Sequence, residues 1–230
     1  MEFKRPKSLT SVVTEHVRKL IINGVLPLGA SISERSIASE LQVSKTPVRE
    51  AFAQLKNEGL ITIKPQSGVR VFTLSAREVR DICVFRNVLE TTAIVQALEA
   101  HPDELYDELN RIASLMENAQ NSKNVKEYLA LDDQFHAAIF RYCDNTYLRD
   151  SYARYAGKIA ALRTHLATKP DHTSLSYAEH IELVQAVKNG DADILRNVLE
   201  KHIGRTQDTY QIGVEDIAAA DAPDEMKPAS

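Results

Sequence analysis

Cysteine is scarce in this chain of 230 residues: only Cys83 and Cys143 occur, too few for a disulfide framework and in keeping with a reducing compartment. Long apolar runs are missing as well. None approaches the roughly 18 residues that a membrane-spanning helix needs. The opening Met1-Glu2-Phe3-Lys4-Arg5-Pro6 has no signal-peptide core, so a cytoplasmic protein without a membrane partner is expected. Strand signal is nearly absent after Ser75, which excludes a β-rich body. The length suits two domains of ordinary size, each able to bury a core of its own.

What is present is most distinctive between Ser33 and Phe72. Ile37 and Leu41 share a face of a short helix near Ser33–Leu41, with Ser33 as its N-cap. After a break at Gln42-Val43-Ser44, a second helix from about Lys45 to Glu58 buries Val48, Ala51, Phe52 and Leu55. Ser44 and Thr46 offer caps, and Pro47 sits in the first turn, where a missing N–H costs little. Gly59 is a plausible residue to end that helix. Leu60–Lys64 and Val69–Phe72 then alternate like strands around Pro65-Gln66-Ser67-Gly68. Helix, turn, helix, hairpin is the order of a winged DNA-reading head. Lys45, Thr46 and Arg49 cluster at the N-terminal end of the second helix, the end that meets base edges in the major groove. Arg suits guanine, whereas Ser44, Thr46 and the helix N-terminus suit phosphate. A tip carrying Gln66, Ser67 and Gly68 can approach phosphates or the minor groove closely.

Charge supports this reading. Residues 1–74 carry 11 Lys and Arg against 6 Asp and Glu, a net of +5, while residues 75–230 carry 17 against 26, a net of −9. A basic head on an acidic body is the electrostatic footprint of a nucleic-acid binder.

From Ser75 the pattern has a 3.6-residue period and predicts six helices, near 75–100, 102–120, 124–143, 146–167, 174–189 and 191–211. Short connections make them antiparallel neighbours in a bundle. The fold class is therefore mainly α, a winged helix–turn–helix (1–74) followed by an all-helical bundle (75–211). The Ala-, Asp- and Pro-rich stretch 212–230 reads as a disordered tail.

Within the bundle, Asp132 and His136 are four apart and share a helix face. His180 and His202 stand 10 and 11 residues from Gly190 and Asp191, the turn between their helices. Each is therefore about 15 Å from the loop at the same level of a hairpin. One Asp and three His at one depth suit Zn²⁺ or a similar divalent metal. The same residues also suit an ordinary core in which each His is satisfied, and spacing alone leaves both readings open. Arg86 shares a face with Ile82, Leu89 and Ala93. It is either a fork for a ligand carboxylate or the i,i+4 partner of Glu90. Arg163 is a second candidate for that pocket. His165 and His172 have no evident partner and are expected in solvent at helix ends. Glu179 adjoins His180 and is expected on another face.

Ile21 to Gly29, Ser44-Lys45-Thr46-Pro47-Val48-Arg49-Glu50-Ala51 and Glu58-Gly59-Leu60 resemble the winged-helix head of GntR-family bacterial transcription regulators. The resemblance implies DNA contacts from Arg35, Lys45, Thr46 and Arg49, with Gly68 at the wing tip. The chain departs from the common pattern at Gln42, where Gly is usual, and at Lys45 and Gln66, where Arg is usual. The segments Asp132–Ile139, Glu179-His180-Ile181, Gly190-Asp191 and His202-Ile203 resemble the FCD ligand-binding domain of FadR-type members, in the six-helix, VanR-like variant. That resemblance implies a metal held by Asp132, His136, His180 and His202, with Zn first and Ni or another transition metal next. It also implies an effector site that includes Arg86. The expectation is a non-enzymatic homodimeric regulator, more often a repressor, that binds a near-palindromic double-stranded operator. A small carboxylate bound through the metal, Arg86 and Arg163 would modulate its affinity. The competing readings are a metal-dependent hydrolase or lyase with a DNA-binding appendage, and a regulator whose metal is purely structural.

Overall fold

The structure is a computed structural model that describes residues 8–64, 68–166 and 170–220. The chain divides into two compact units. One comprises Met1–Thr73 with Arg154–Ala161, the other Leu74–Ala153 with Leu162–Ser230.

In the first unit, helix α1 (Leu9–Ile22) starts at Ser8, whose hydroxyl accepts from Ser11 N at 3.1 Å. Its buried face of Val13, Val17 and Ile21 follows the helical period and packs on α3 (Lys45–Asn57), which buries Val48, Ala51, Phe52 and Leu55 as anticipated. Polar clamps flank this contact. Arg18 donates from Nε and Nη2 to the two Glu58 oxygens at 2.9 and 2.7 Å, and Thr10 Oγ1 donates to Glu50 Oε2 at 2.6 Å. Between them, α2 (Glu34–Glu40) is capped by Ser33, which accepts from Ser36 N at 3.3 Å. The turn to α3 passes through Gln42 at φ +53°, a left-handed conformation that L side chains disfavour. Ser44 takes the N-cap position of α3, but its hydroxyl makes no capping bond there. Gly59 ends that helix at φ +72°, as its position in the sequence suggested.

The hairpin pairs β2 (Ile61–Lys64) with β3 (Gly68–Val71), Lys64 opposite Gly68. A third strand absent from the sequence reading, β1 (Ser31–Ile32), pairs antiparallel with β3 and places Ser31 opposite Arg70, giving the order β1-β3-β2. At two residues it is too short to show any period. Gln66 and Ser67, two of the expected DNA contacts, lie outside the described residues.

The second unit is built from α4 (Ala76–Ala100), α5 (Pro102–Asn121), α6 (Val125–Tyr142), α7 (Thr146–Leu166), α8 (Pro170–Asn189) and α9 (Ala192–Ala220). Residues Arg154–Ala161 of α7 group with the first unit instead. Six helices fall where the period placed them, with two differences. Helix α8 begins at Pro170, four residues early, because Pro suits a first helical position. Helix α9 runs on to Ala220, so residues 212–220 of the expected disordered tail are helical; residues 221–230 lie outside the described ones. Composition misled here: Ala-rich sequence lacks an apolar stripe yet has the highest helix propensity.

Helix α4 opens with a capping box, Ser75 Oγ accepting from Glu78 N and Glu78 Oε2 from Ser75 N at 3.3 and 2.8 Å. Gly190 at φ +70° makes the α8–α9 turn, and Asp191 Oδ1 then accepts from Ile194 N at 2.9 Å. Helix α4 packs on α9 and α6, α5 on α6 and α8, and α8 on α9. This arrangement turns one face each of α4, α6, α8 and α9 inward. Arg86, Glu90, Asp132, His136, Arg163, Glu179, His180 and His202 are all buried in this unit. No helix among the described residues is long and apolar enough to cross a membrane.

Candidate metal centre and nucleic-acid interface

Eight charged or ionisable side chains in one helical core demand partners, because an unpaired buried polar group is costly. Three of them converge. His136 on α6, His180 on α8 and His202 on α9 offer one ligand nitrogen each within 4.8 Å of one another. Their ring centroids are 5.3, 5.3 and 5.0 Å apart, close to an equilateral triangle. The equal spacing of His180 and His202 about the Gly190–Asp191 turn does bring them level.

Each outer histidine is oriented from behind. Glu179 Oε2 lies 2.8 Å from His202 Nδ1, and Glu90 Oε2 lies 2.7 Å from His136 Nδ1. The Glu179 carboxylate on His202 Nδ1 places the proton there and leaves Nε2 as a lone pair, the tautomer a metal ligand needs. Among the described residues neither ring nitrogen of His136 or of His180 makes a hydrogen bond of regular geometry, although His136 Nδ1 lies close to Glu90, and all four atoms are fully buried. Burial pushes His202 down to about 4 and His180 well below its ordinary value, with Glu179 and Asp132 opposing. Both rings are therefore neutral at pH 7. Three converging imidazoles, two of them without a hydrogen bond among the described residues, fit a divalent transition metal better than they fit a closed core.

Asp132 stands one turn before His136. Its Oδ1 lies 3.5 Å from His180 Nε2, while its Oδ2 accepts from Arg163 Nε at 2.6 Å. One oxygen thus faces the histidines and the other is engaged. Burial alone would raise this carboxyl, but Arg163 and the three histidines hold it well below the usual carboxylate range. Asp133, on the neighbouring stripe, bonds the Arg163 guanidinium instead.

Of the two readings of Arg86, the i,i+4 pair with Glu90 is seen directly. Its Nε donates to Glu90 Oε1 at 2.7 Å, the i,i+4 pair, with both side chains almost fully buried. Its Nη1 has no hydrogen-bond partner among the described residues. Arg163 Nη2 and the Tyr210 hydroxyl are likewise buried without one among the described residues, and Arg86, Arg163 and Tyr210 feel each other electrostatically. Three unpartnered donors in one neighbourhood can accept an anion. Arg163, Tyr210, Asp132 and His202 line a cleft with Tyr128, His172 and Ser176. Its cavity volume is about 10 Å³, close to the room one water molecule requires.

Two expectations need correction. Glu179 does not point elsewhere: it is buried at the α8–α9 contact and bonds His202 and Arg205. Nor is His172 in solvent, since its Nδ1 accepts from Arg205 Nη1 at 2.8 Å. Burial and Arg205 bring its ring down to about 4. Both errors have one cause. Neighbours along a helix can be read from the sequence, whereas the pairing of 179 with 202, or 172 with 205, exists only once α8 packs on α9. Arg205 and Tyr210 carried no signal beyond lying in the same periodic helix as His202.

In the first unit Arg35, Ser44, Lys45, Thr46, Arg49 and Gly68 are all exposed, the first five on α2, α3 or the turn between them. Arg49 Nε donates to Glu34 Oε2 at 2.9 Å, a surface pair that phosphate or guanine can displace. Gly68, at φ +76°, has no atom of the described residues within 4 Å of where a Cβ would stand.

A winged helix–turn–helix joined to an all-helical body with a buried polar centre defines a class of DNA-binding regulators. Comparison with known proteins narrows the class. The gntR family of bacterial regulatory proteins matches residues 9–71, and the FCD domain matches residues 81–205. The chain belongs to the GntR family of transcription regulators and carries an FCD domain. It is 27% identical over 206 residues to the gluconate operon transcriptional repressor of Bacillus licheniformis, covering 87% of this chain and 83% of the relative. It is 24% identical over 187 residues to the transcriptional repressor RspR of Escherichia coli K12, covering 81% and 82%. In fold it is similar to a putative GntR regulator from Rhodococcus sp. RHA1, with a TM-score of 0.79, 19% identity and coverage of 89% of this chain and 98% of that one.

Proposed function

We propose that this chain is a homodimeric, cytoplasmic transcriptional repressor whose affinity for a near-palindromic operator responds to a small carboxylate bound beside a divalent metal. Residues 1–74 form the DNA-reading domain and 75–211 the sensing domain. In the head, Arg35, Lys45, Thr46 and Arg49 present base and phosphate contacts, and Ser44, Gln66, Ser67 and Gly68 approach the backbone. Two heads related by a two-fold axis read two half-sites, since protein symmetry is mirrored in operator symmetry.

The observation that carries the metal reading is that His136, His180 and His202 each offer a ring nitrogen within 4.8 Å of the others, while the buried ring nitrogens of His136 and His180 make no hydrogen bond among the described residues. Asp132 Oδ1 would complete the set. Three imidazoles and a carboxylate favour Zn²⁺, with Ni²⁺ next. When bound, the metal supplies a Lewis-acidic anchor for a carboxylate oxygen. The unpartnered donors of Arg86, Arg163 and Tyr210 support an anionic effector. The cleft as it stands is water-sized, so an acid enters by displacing the hold of Asp132 and Asp133 on Arg163. That displacement gives the ligand different affinities for two states, which is what coupling to DNA requires. Glu90 and Glu179 are both occupied as histidine partners and neither is left as a general base, which favours sensing over hydrolysis.

Elemental analysis of the purified protein tests the metal, with about one equivalent per chain expected. Thermal shift of the metal-loaded protein against a panel of carboxylates tests the effector. Repression of gluconate operons by two relatives makes sugar acids the first to try. If no acid stabilises the loaded protein or alters its retention of promoter DNA, the effector reading fails.

A further inference from the structure

We propose that Arg205 is a positioning residue for the metal centre: it fixes Glu179 against His202 and ties that ligand to the lining of the cleft. The inference rests on the metal reading above and adds to it the regulation of the same site.

Arg205 follows His202 by one helical turn on α9 and reaches across to α8. Its Nε and Nη2 donate to Glu179 Oε1 and Oε2 at 3.1 and 2.5 Å, a two-point grip on the carboxylate. The same Oε2 lies 2.8 Å from His202 Nδ1. Glu179 cannot rotate away from His202 without breaking both bonds to the guanidinium, so Arg205 sets the ring's tautomer and direction through Glu179.

The other donors go elsewhere. Nη2 also reaches Ser176 Oγ at 2.9 Å, and Nη1 donates to His172 Nδ1 at 2.8 Å. Arg has no acceptor, so the His172 proton sits on Nε2. Thr209 Oγ1 lies 3.1 Å from the same Nδ1 and donates to Arg205 O at 3.1 Å. His172 and Ser176 line the cleft together with His202 and Arg163. An acid that draws on either of them pulls on Arg205, then on Glu179, then on His202. Occupancy of the cleft and affinity for metal are thereby linked, and reciprocally so.

The plainer account is an ion pair that merely joins α8 to α9. The two differ in what they move. A structural pair affects folding; a positioning chain affects the metal's ligand field and acts only through Glu179. Co²⁺ serves as probe, with its affinity measured by chelator competition and its visible d–d bands recorded for wild type, Arg205→Met, Arg205→Lys, Glu179→Gln and the Glu179→Gln/Arg205→Met double variant. Arg205→Met should weaken Co²⁺ binding about 10–100-fold, the usual effect of losing a partner behind a ligand, and alter the bands. Arg205→Lys, which keeps the charge but not the fork, should fall between. The double variant should be no more than about twofold weaker than Glu179→Gln alone, because one chain is broken in both. Melting of the metal-free proteins shows which variants are folded, and Arg205→Lys keeps the question open should Arg205→Met fail to fold. Wild-type affinity and spectrum in Arg205→Met, or multiplying effects in the double variant, would overturn the inference. Wild-type protein that takes up no Co²⁺ overturns the metal reading itself, and the inference with it.

Discussion

Glu90 holds His136 Nδ1 at 2.7 Å with one oxygen while its other oxygen accepts from Arg86 Nε at 2.7 Å. All three side chains are essentially without solvent. A single carboxylate thus neutralises a buried guanidinium and orients a candidate metal ligand. Burial would raise its pKa, but Arg86 and His136 hold it well below the carboxylate range.

Removing that charge isolates Arg86. Glu90→Leu should destabilise the metal-free protein by about 3–5 kcal/mol, the cost of leaving one partner of a buried pair unpaired. Replacing both, Arg86→Leu with Glu90→Leu, should recover most of that loss, because the joint desolvation penalty disappears as well. Urea unfolding of the two variants measures the difference. Equal instability would mean that packing, not charge, dominates at this position.

Acid should weaken the metal-free protein from near neutral pH downward. His202 titrates at about 4 when folded and near 6.5 when unfolded, and His180 is depressed in the same direction. Between those values the unfolded chain binds more protons, so unfolding free energy falls as pH falls. The loss begins near 6.5 and is complete below about 4; for His202 alone it is on the order of 3 kcal/mol. Glu179, held near 2 by His202 and Arg205 against its burial, adds a further loss below its unfolded value of about 4.5. Denaturant midpoints between pH 7.5 and 4.5, with chelator present, follow this slope. A flat profile would exclude neutral buried imidazoles.

His180→Ala should remove tight metal binding and leave the head folded and able to bind DNA. Wild-type protein at 100 times the metal dissociation constant gains about 2.7 kcal/mol. Chelator should therefore lower the wild-type melting temperature and leave that of His180→Ala unchanged. A chelator effect of equal size in both would remove His180 from the ligand set.

Much of this architecture could be read from the residues, and the failures have a common character. Val48, Ala51, Phe52 and Leu55 announce the buried face of α3, and Gly59 its end, because both signals are local. The level of His180 with His202 was also accessible, since a tight turn converts sequence distance into height along two antiparallel helices. Glu179 on His202 and Arg205 on His172 were not accessible. Those bonds depend on how α8 is rotated against α9, and no spacing within either helix encodes that rotation. Strand β1 was missed because two residues carry no period. The extension of α9 was missed because an Ala-rich segment forms helix without showing a stripe.

Gln42 occupies a left-handed turn at φ +53°, where only Gly avoids a steric penalty. Gln42→Gly should relieve roughly 1 kcal/mol of strain, less the extra freedom that Gly gives the unfolded chain. The net change is a small gain in the denaturation midpoint with unchanged DNA affinity, because Gln42 lies in the turn and not among the expected contact residues. A clear loss of stability would show that the Gln side chain makes a compensating interaction.

Arg49 is exposed on the N-terminal turn of α3 and paired only at the surface, with Glu34 at 2.9 Å. Such a pair contributes about 0–1 kcal/mol, so Arg49→Ala should leave the melting temperature almost unchanged. Operator binding should nevertheless fall by about 1–3 kcal/mol or more if the guanidinium reads a base, with relaxed preference at one position of each half-site. Should Arg49 touch phosphate instead, affinity would drop evenly across sequences and the salt dependence would lose about one unit of slope. Fluorescence anisotropy at several salt concentrations, on the operator and on single-base variants, separates the two modes. Glu34→Gln is the companion: it frees Arg49 and removes a negative charge from the DNA-facing surface, so it should raise affinity without changing base preference. Operator affinity unaltered by Arg49→Ala at fixed salt would show that α3 does not dock through this end.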